Sequence, residues 1–121
     1  MGQTRYLVNA FSLNMLPEIA SVTVTLRIRK LAAEEFCSEV RDAVNAIGHP
    51  TTMSVINALC STNLAASRIE VRLGDGDELV VFQVKTRLPE GKILSADEIR
   101  QMMQSKQVEL LKVKVEIKSP T

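Results

Sequence analysis

The sequence predicts an α/β domain, on three observations. Apolar runs without alternation at residues 5–8 and 79–82 suit central strands covered on both faces. The stretches at 31–42 and from 50 onward instead repeat their apolar side chains at helical spacing. Polar residues collect where the apolar runs stop, and in open α/β sheets ligands bind in the crevice outside the strand ends. With 121 residues the chain fits a single domain, 1–121, able to bury roughly two-thirds of its unfolded surface without metals or disulfides.

RYLV at 5–8 is the first strand, and the NAFSLNMLP that follows carries Asn9, Ser12 and Asn14. Their short polar side chains bond to nearby backbone or to a ligand where a strand stops. From 22 to 29 alternation is strict, with Val22, Val24, Leu26 and Ile28 on one face and Thr23, Thr25, Arg27 and Arg29 on a wet one. Residues 31–42 change to helical period, with Ala33, Phe36, Cys37 and Val40 inward and Glu34, Glu35, Glu39 and Arg41 outward. AVNAI at 43–47 returns to extended structure. Gly48 permits a tight turn, and Pro50 suits the first turn of a second helix capped by Thr51 or Thr52. Met53, Ile56, Cys60 and Leu64 form that helix's apolar face. RIEVRL at 68–73 and ELVVFQVK at 78–85 read as a hairpin joined by the GDGD turn at 74–77. Pro89 and Gly91 mark a loop, and Ser95 with Glu98 forms a capping box for a short helix. VELLKVKVEI at 108–117 is the last strand, with Leu111, Val113, Val115 and Ile117 inward.

Several function classes fall away. A net charge of +1 gives no broad field for gripping a long duplex, so a nucleotide ligand should be small and locally held, not long DNA or RNA. Cys37 and Cys60 fit no metal spacing and read as buried free thiols; with no metal cage in the pattern, neither metal nor cofactor is expected. No apolar run approaches the roughly eighteen residues of a membrane span, and Asn9 and Asn14 break the N-terminal stretch, so a cytoplasmic protein is expected. Neither a phosphate-cradling GxxxxGK[ST] or GxGxxG loop nor a GxSxG nucleophile elbow is present.

What remains is acid-base chemistry at NAIGHP, residues 45–50, which holds the single histidine of the chain, His49. An imidazole opening a helix sits beside free backbone N–H groups, a ready anion site, although a lone histidine is more often a surface or core residue. Three polar clusters fall at carboxyl ends of strands: Asn9, Ser12 and Asn14; His49; and Gln83 with Arg87. Parallel neighbouring strands would bring them together. Arg87, Glu90 and Lys92 lie in the loop RLPEGK, either a lid or a solvated charged turn. Arg68 and Arg72 share one face of their strand, which suits a solvated sheet surface or a phosphate contact.

NAFSLNML near the start, NAIGHPTT with SVINALC in the middle, then RIEV and QVKTRLPEGKILSADEI together resemble the viral ring nuclease family over most of the chain. That family comprises anti-CRISPR enzymes of archaeal viruses and phages, with cellular relatives, that degrade cyclic tetra-adenylate, the second messenger of type III CRISPR defence. The resemblance implies a mixed, largely parallel central sheet flanked by helices, in a homodimer whose two-fold axis passes through the ligand, acting in host cytoplasm if viral. It implies His49 as catalytic histidine with Arg87 and Glu90 as partners, and Asn9, Ser12, Asn14, Thr51, Arg68 and Gln83 as ligand contacts. The chain departs from the pattern at Pro50, where an acidic residue follows the family's histidine, at Thr51 in place of a serine, and at Pro89 in the lid. The implied reaction is metal-independent cleavage to linear di-adenylate with 2′,3′-cyclic phosphate ends. The alternative is a non-catalytic sensor or sponge for the same ligand.

Overall fold

The apolar runs become adjacent strands because each buries both of its faces. The computed structural model describes residues 3–85 and 95–119. Its strands are β1 (Arg5–Val8), β2 (Thr23–Lys30), β3 (Val44–Asn45), β4 (Glu78–Val84) and β5 (Val108–Lys118), and its helices α1 (Ala33–Arg41), α2 (Pro50–Cys60) and α3 (Ala96–Gln104). The strands form one sheet in the order β2-β5-β4-β1-β3. β1 pairs in parallel with β3 and β4, and β5 runs antiparallel to β4 and β2. The expected mixed α/β sheet is therefore present, with four strands pointing one way.

All three helices cover one face. Phe36, Val40, Ile56 and Ile99 close over Leu7, Val80 and Phe82 in a cluster of fully buried side chains. Burying such side chains contributes about 1.5–3 kcal/mol each and fixes the helices to the sheet. The opposite face has no α-helix in the described residues. Its cluster, Val8, Leu79, Val81, Val113 and Val115, is covered instead by connecting segments: Phe11, Met15 and Leu16 from one and Val71 and Leu73 from another. Leu73 N–H donates to the Met15 carbonyl at 2.8 Å and joins the two loops.

Four sequence expectations need correction. Residues 68–73 form no strand and no hairpin. The reason lies in pairing: β1 and β5 occupy both edges of β4, so no ladder position is left for the preceding segment. The GDGD turn itself is real, with Gly76 at φ +86° and Asp77 N–H donating to the Gly74 carbonyl at 3.2 Å. Cys37 and Cys60 are not free thiols but a disulfide, which ties α1 to the end of α2. Neither Thr51 nor Thr52 caps α2; His49 occupies the N-cap position, with no side-chain cap bond. Glu39 does not face solvent: it turns to the sheet, pairing with Arg5 at 2.9 Å and Lys112 at 3.1 Å. Both cations also meet Glu78, at 3.0 and 3.6 Å, so a half-buried tetrad pins α1 to β1, β4 and β5.

Elsewhere the local signals hold. Ser95 Oγ accepts the Glu98 N–H at 3.1 Å and Glu98 Oε1 accepts the Ser95 N–H at 3.2 Å, a reciprocal capping box. Glu35 accepts the Ala32 N–H at the start of α1 and bonds Arg29, and the Arg29 guanidinium foremost holds its carboxyl below the usual carboxylate range.

Candidate functional site

β1, β3 and β4 are parallel neighbours, so the residues after each emerge at one end of the sheet. Leu7 is level with Asn45 and with Val80, and adjacent strands lie about 4.8 Å apart. Asn9 follows β1 by one residue, His49 follows β3 by four, and Gln83 lies one residue before the end of β4. Asn9, His49 and Gln83, one from each expected polar cluster, thus belong to neighbouring strands at the same end of the sheet, while Arg87 lies outside the described residues.

The approach to His49 is rigidly built. Ala46 N–H donates to the Leu7 carbonyl at 2.9 Å, continuing the strand pairing past β3. Asn45 Oδ1 accepts the Ile47 N–H at 3.0 Å, and its Nδ2 donates to the Ala65 carbonyl. Ser67 N–H reaches the Ile47 carbonyl at 2.9 Å, which brings Arg68 beside Gly48. There the fit is tight: a Cβ on Gly48 would lie 2.9 Å from Arg68 Cβ and 3.0 Å from its Nε. Gly48 is therefore required by close approach and not, as expected, by a tight turn.

His49 is exposed, and among the described residues nothing bonds its ring. Its carbonyl accepts the Met53 N–H at 3.1 Å, the first bond of α2. Pro50 sits at the first helical position, where its missing N–H is one that a helix leaves unpaired anyway. Thr51 is half-buried in the first turn, and Thr52 is buried at 6% exposure. The first turn carries no acidic side chain to compete for an anion.

The remaining expected ligand contacts divide. Arg68 is exposed and makes no ion pair among the described residues, with its Nε close to Gly48, the residue before His49; Arg72, by contrast, is tied to Glu70. Asn9 and Asn14 are exposed. Ser12 is already engaged, its hydroxyl accepting the Asn14 N–H at 3.3 Å to cap a short 3-10 turn at Leu13–Met15. Gln83 is half-buried and lines an apolar cavity of about 180 Å³ with Ala10, Phe11, Ile28 and Leu111. Next to it Lys85 pairs with Glu109 at 2.8 Å, and the ammonium holds that carboxyl low. Arg87, Pro89, Glu90 and Lys92 lie outside the described residues.

Sequence reasoning missed two positioning residues. Asn45 holds the segment leading into His49, and an Asn that can accept the N–H two residues on is a readable signal for such a bond. Asn57 is less legible: its side chain holds Thr62 Oγ1 at 2.7 Å and both backbone groups of Leu64 at 2.9 Å, which steers the chain leaving α2 back toward β3.

Comparison with known proteins places this architecture. Residues 5–116 match the family model described as STIV B116-like. The chain is 39% identical over 112 residues to protein ORF116 of Acidianus filamentous virus 1, covering 91% of this chain and 94% of that protein. It is 29% identical over 98 residues to protein 26 of a Sulfolobus islandicus filamentous virus, covering 80% and 82%. Among solved structures, B116 of Sulfolobus turreted icosahedral virus superposes with a TM-score of 0.83 at 38% identity, over 91% of this chain and 97% of that one.

Proposed function

From the premise that this chain belongs to the STIV B116-like family, whose relatives named above come from archaeal viruses, we propose that it is a metal-independent ring nuclease for cyclic tetra-adenylate. The observation that carries the reading is His49: an unpartnered, exposed imidazole at the N-cap of α2, with the free Arg68 guanidinium packed against Gly48 beside it. An acid, a cation and unpaired helix N–H groups at one strand end are what a phosphodiester needs.

The substrate supplies the nucleophile. Its ribose 2′-hydroxyl attacks the adjacent phosphorus and loses its proton to solvent water, while the bond from phosphorus to the 5′-oxygen breaks and His49 protonates that oxygen. The product is linear with a 2′,3′-cyclic phosphate. Proton transfer of this kind contributes about a hundredfold to ten-thousandfold. Arg87 would stabilise the charge developing on the phosphoryl oxygens, and Glu90 would orient the imidazole. Arg68, Thr51, Asn9, Ser12, Asn14 and Gln83 hold the ring.

A ring of four identical nucleotides has two-fold symmetry available to it, and a homodimer with the ligand across its axis presents two copies of His49 to opposite phosphodiesters. The apolar cavity that ends at Gln83 supports this arrangement, because Ile28 on its rim is 62% exposed and adjoins the ligand end of the sheet.

The test is incubation of protein with cyclic tetra-adenylate, with and without EDTA, followed by chromatography. Linear di-adenylate is expected in both. His49→Ala should bind the ring and lose about a hundredfold or more of the rate. Loss of activity in EDTA would sink the metal-free mechanism, and binding without product would point to a sensor or sponge.

A further inference from the structure

At the opposite end of α2 from His49, the Cys37–Cys60 bridge lies in the wall of a surface cleft of about 270 Å³. Arg41, Arg100, Glu34 and Ser61 line the same cleft. Two guanidiniums and one carboxylate therefore share the lining of this cleft with the bridge, whose cysteines are 9% and 4% exposed. Neither cation is strongly committed elsewhere: the contact from Arg100 to Asp97 is 3.9 Å, and Arg41 has no ion pair among the described residues. Arg41 is also one helical turn from Cys37 on α1, a spacing that brings the two side chains together. A disulfide in the wall of a surface cleft, with two cations in the same lining and one of them a helical turn from Cys37, has the features of a reactive bridge.

We propose that Cys37–Cys60 is a thiol–disulfide exchange site, opened in the folded protein by a small dithiol, preferably an anionic one, that enters the cleft between Arg41 and Arg100. A deprotonated thiol attacks Cys60 Sγ, the bond between the cysteines breaks, and Cys37 leaves as a thiolate beside Arg41. The reagent's second thiolate then attacks its own mixed disulfide, closes the reagent's disulfide and releases Cys60. Two electrons pass from dithiol to protein, and the protons lost by the reagent return to the cysteines through solvent. Reduction unclips α1 from α2, the helix that starts at His49, so redox state sets the temperature up to which the candidate site survives. This inference does not depend on the nuclease reading, since every readout below is chemical or thermal.

The experiment follows reduction of the whole native protein by dithiothreitol well below its melting temperature, with alkylation and mass spectrometry. The rate is expected to rise linearly with dithiol and to exceed the global unfolding rate; a plateau at the unfolding rate would overturn the proposal. The anionic monothiol 2-mercaptoethanesulfonate should form its mixed disulfide, on Cys60, severalfold faster than neutral 2-mercaptoethanol. That preference should shrink in Arg100→Gln and vanish in Arg41→Gln/Arg100→Gln, with oxidised melting temperatures unchanged. Equal rates for the two monothiols in the natural protein would remove the arginines from the role, and the half-exposed position of Arg100 makes the single variant safe to fold if the double is not.

Discussion

Gly48 and Arg68 approach closely at the candidate site, leaving no room for a side chain on Gly48, and their roles separate experimentally. A methyl group on Gly48 would press on the Cβ and Cα of Arg68, at 2.9 and 3.3 Å, and neither is the far end of a flexible side chain. Gly48→Ala should therefore shift the segment held by the Ser67 to Ile47 bond and cost about 1–3 kcal/mol, read as a lower denaturant midpoint. It should weaken ring binding at the same time. Arg68→Gln removes only an exposed, unpaired cation, so stability should stay within about 0.5 kcal/mol while affinity for cyclic tetra-adenylate falls about tenfold. If calorimetry finds binding unchanged in Arg68→Gln, the guanidinium is not a phosphate contact. At this scale the helix opening at Pro50 was legible because helix starts have local chemistry, although its cap was placed at Thr51 or Thr52 and falls at His49. The packing of Arg68 on Gly48 was not, since it joins residues twenty apart through a segment with no regular structure.

Between elements, the tetrad of Arg5, Glu39, Glu78 and Lys112 decides how α1 sits on the sheet. Removing the Glu39 carboxylate leaves two half-buried cations sharing Glu78 alone. Glu39→Ala should cost about 1–3 kcal/mol, and adding Lys112→Met should restore part of it by removing one of the stranded charges. Urea titration of the single and double variants measures the coupling, and strict additivity would mean that the network contributes nothing as a unit. The sequence marked α1 and β5 correctly, because period and burial coincide in Phe36 and Val40 and in Val113 and Val115. It misread Glu39 because helical period alone cannot see which strand cations lie beneath a helix. The segment at 68–73 failed for a related reason. Its alternation suits a strand, but Val71 and Leu73 are buried as a cover over the second face, a role that depends on β1 and β5 having already taken both edges of β4. The disulfide has the same non-local origin, joining helices brought together only by their shared packing on the sheet.

For the whole molecule, the two sheet faces are unequally protected, and this asymmetry bears on assembly. Three helices and a bridge secure one face. The bridge closes a loop across a separation of 23 residues, so Cys37→Ala/Cys60→Ala should lower stability by about 3 kcal/mol, a melting-temperature loss on the order of 10 °C by calorimetry. Among the described residues the other face rests under two loops and leaves Ile28 at 62% and Leu13 at 76% exposure. A large apolar side chain near solvent is ordinary by itself. Ile28 differs in position, because it lines the apolar cavity with Phe11, Leu26 and Leu111 and so adjoins Gln83 near the carboxyl end of β4. A second copy seated there would cover these side chains and set two sites about one axis, with the surrounding surface supplying the roughly 1,200–2,000 Å² of a stable interface. Ile28→Lys places an ammonium in that contact without disturbing the folded monomer, since the side chain it replaces is mostly exposed. The variant should sediment as a monomer at micromolar concentration, keep its melting temperature measured as a monomer, and lose ring cleavage together with the dimer. A variant that remains dimeric would move the interface elsewhere on the chain, whereas a monomer that still cleaves the ring would show that one copy of His49 suffices.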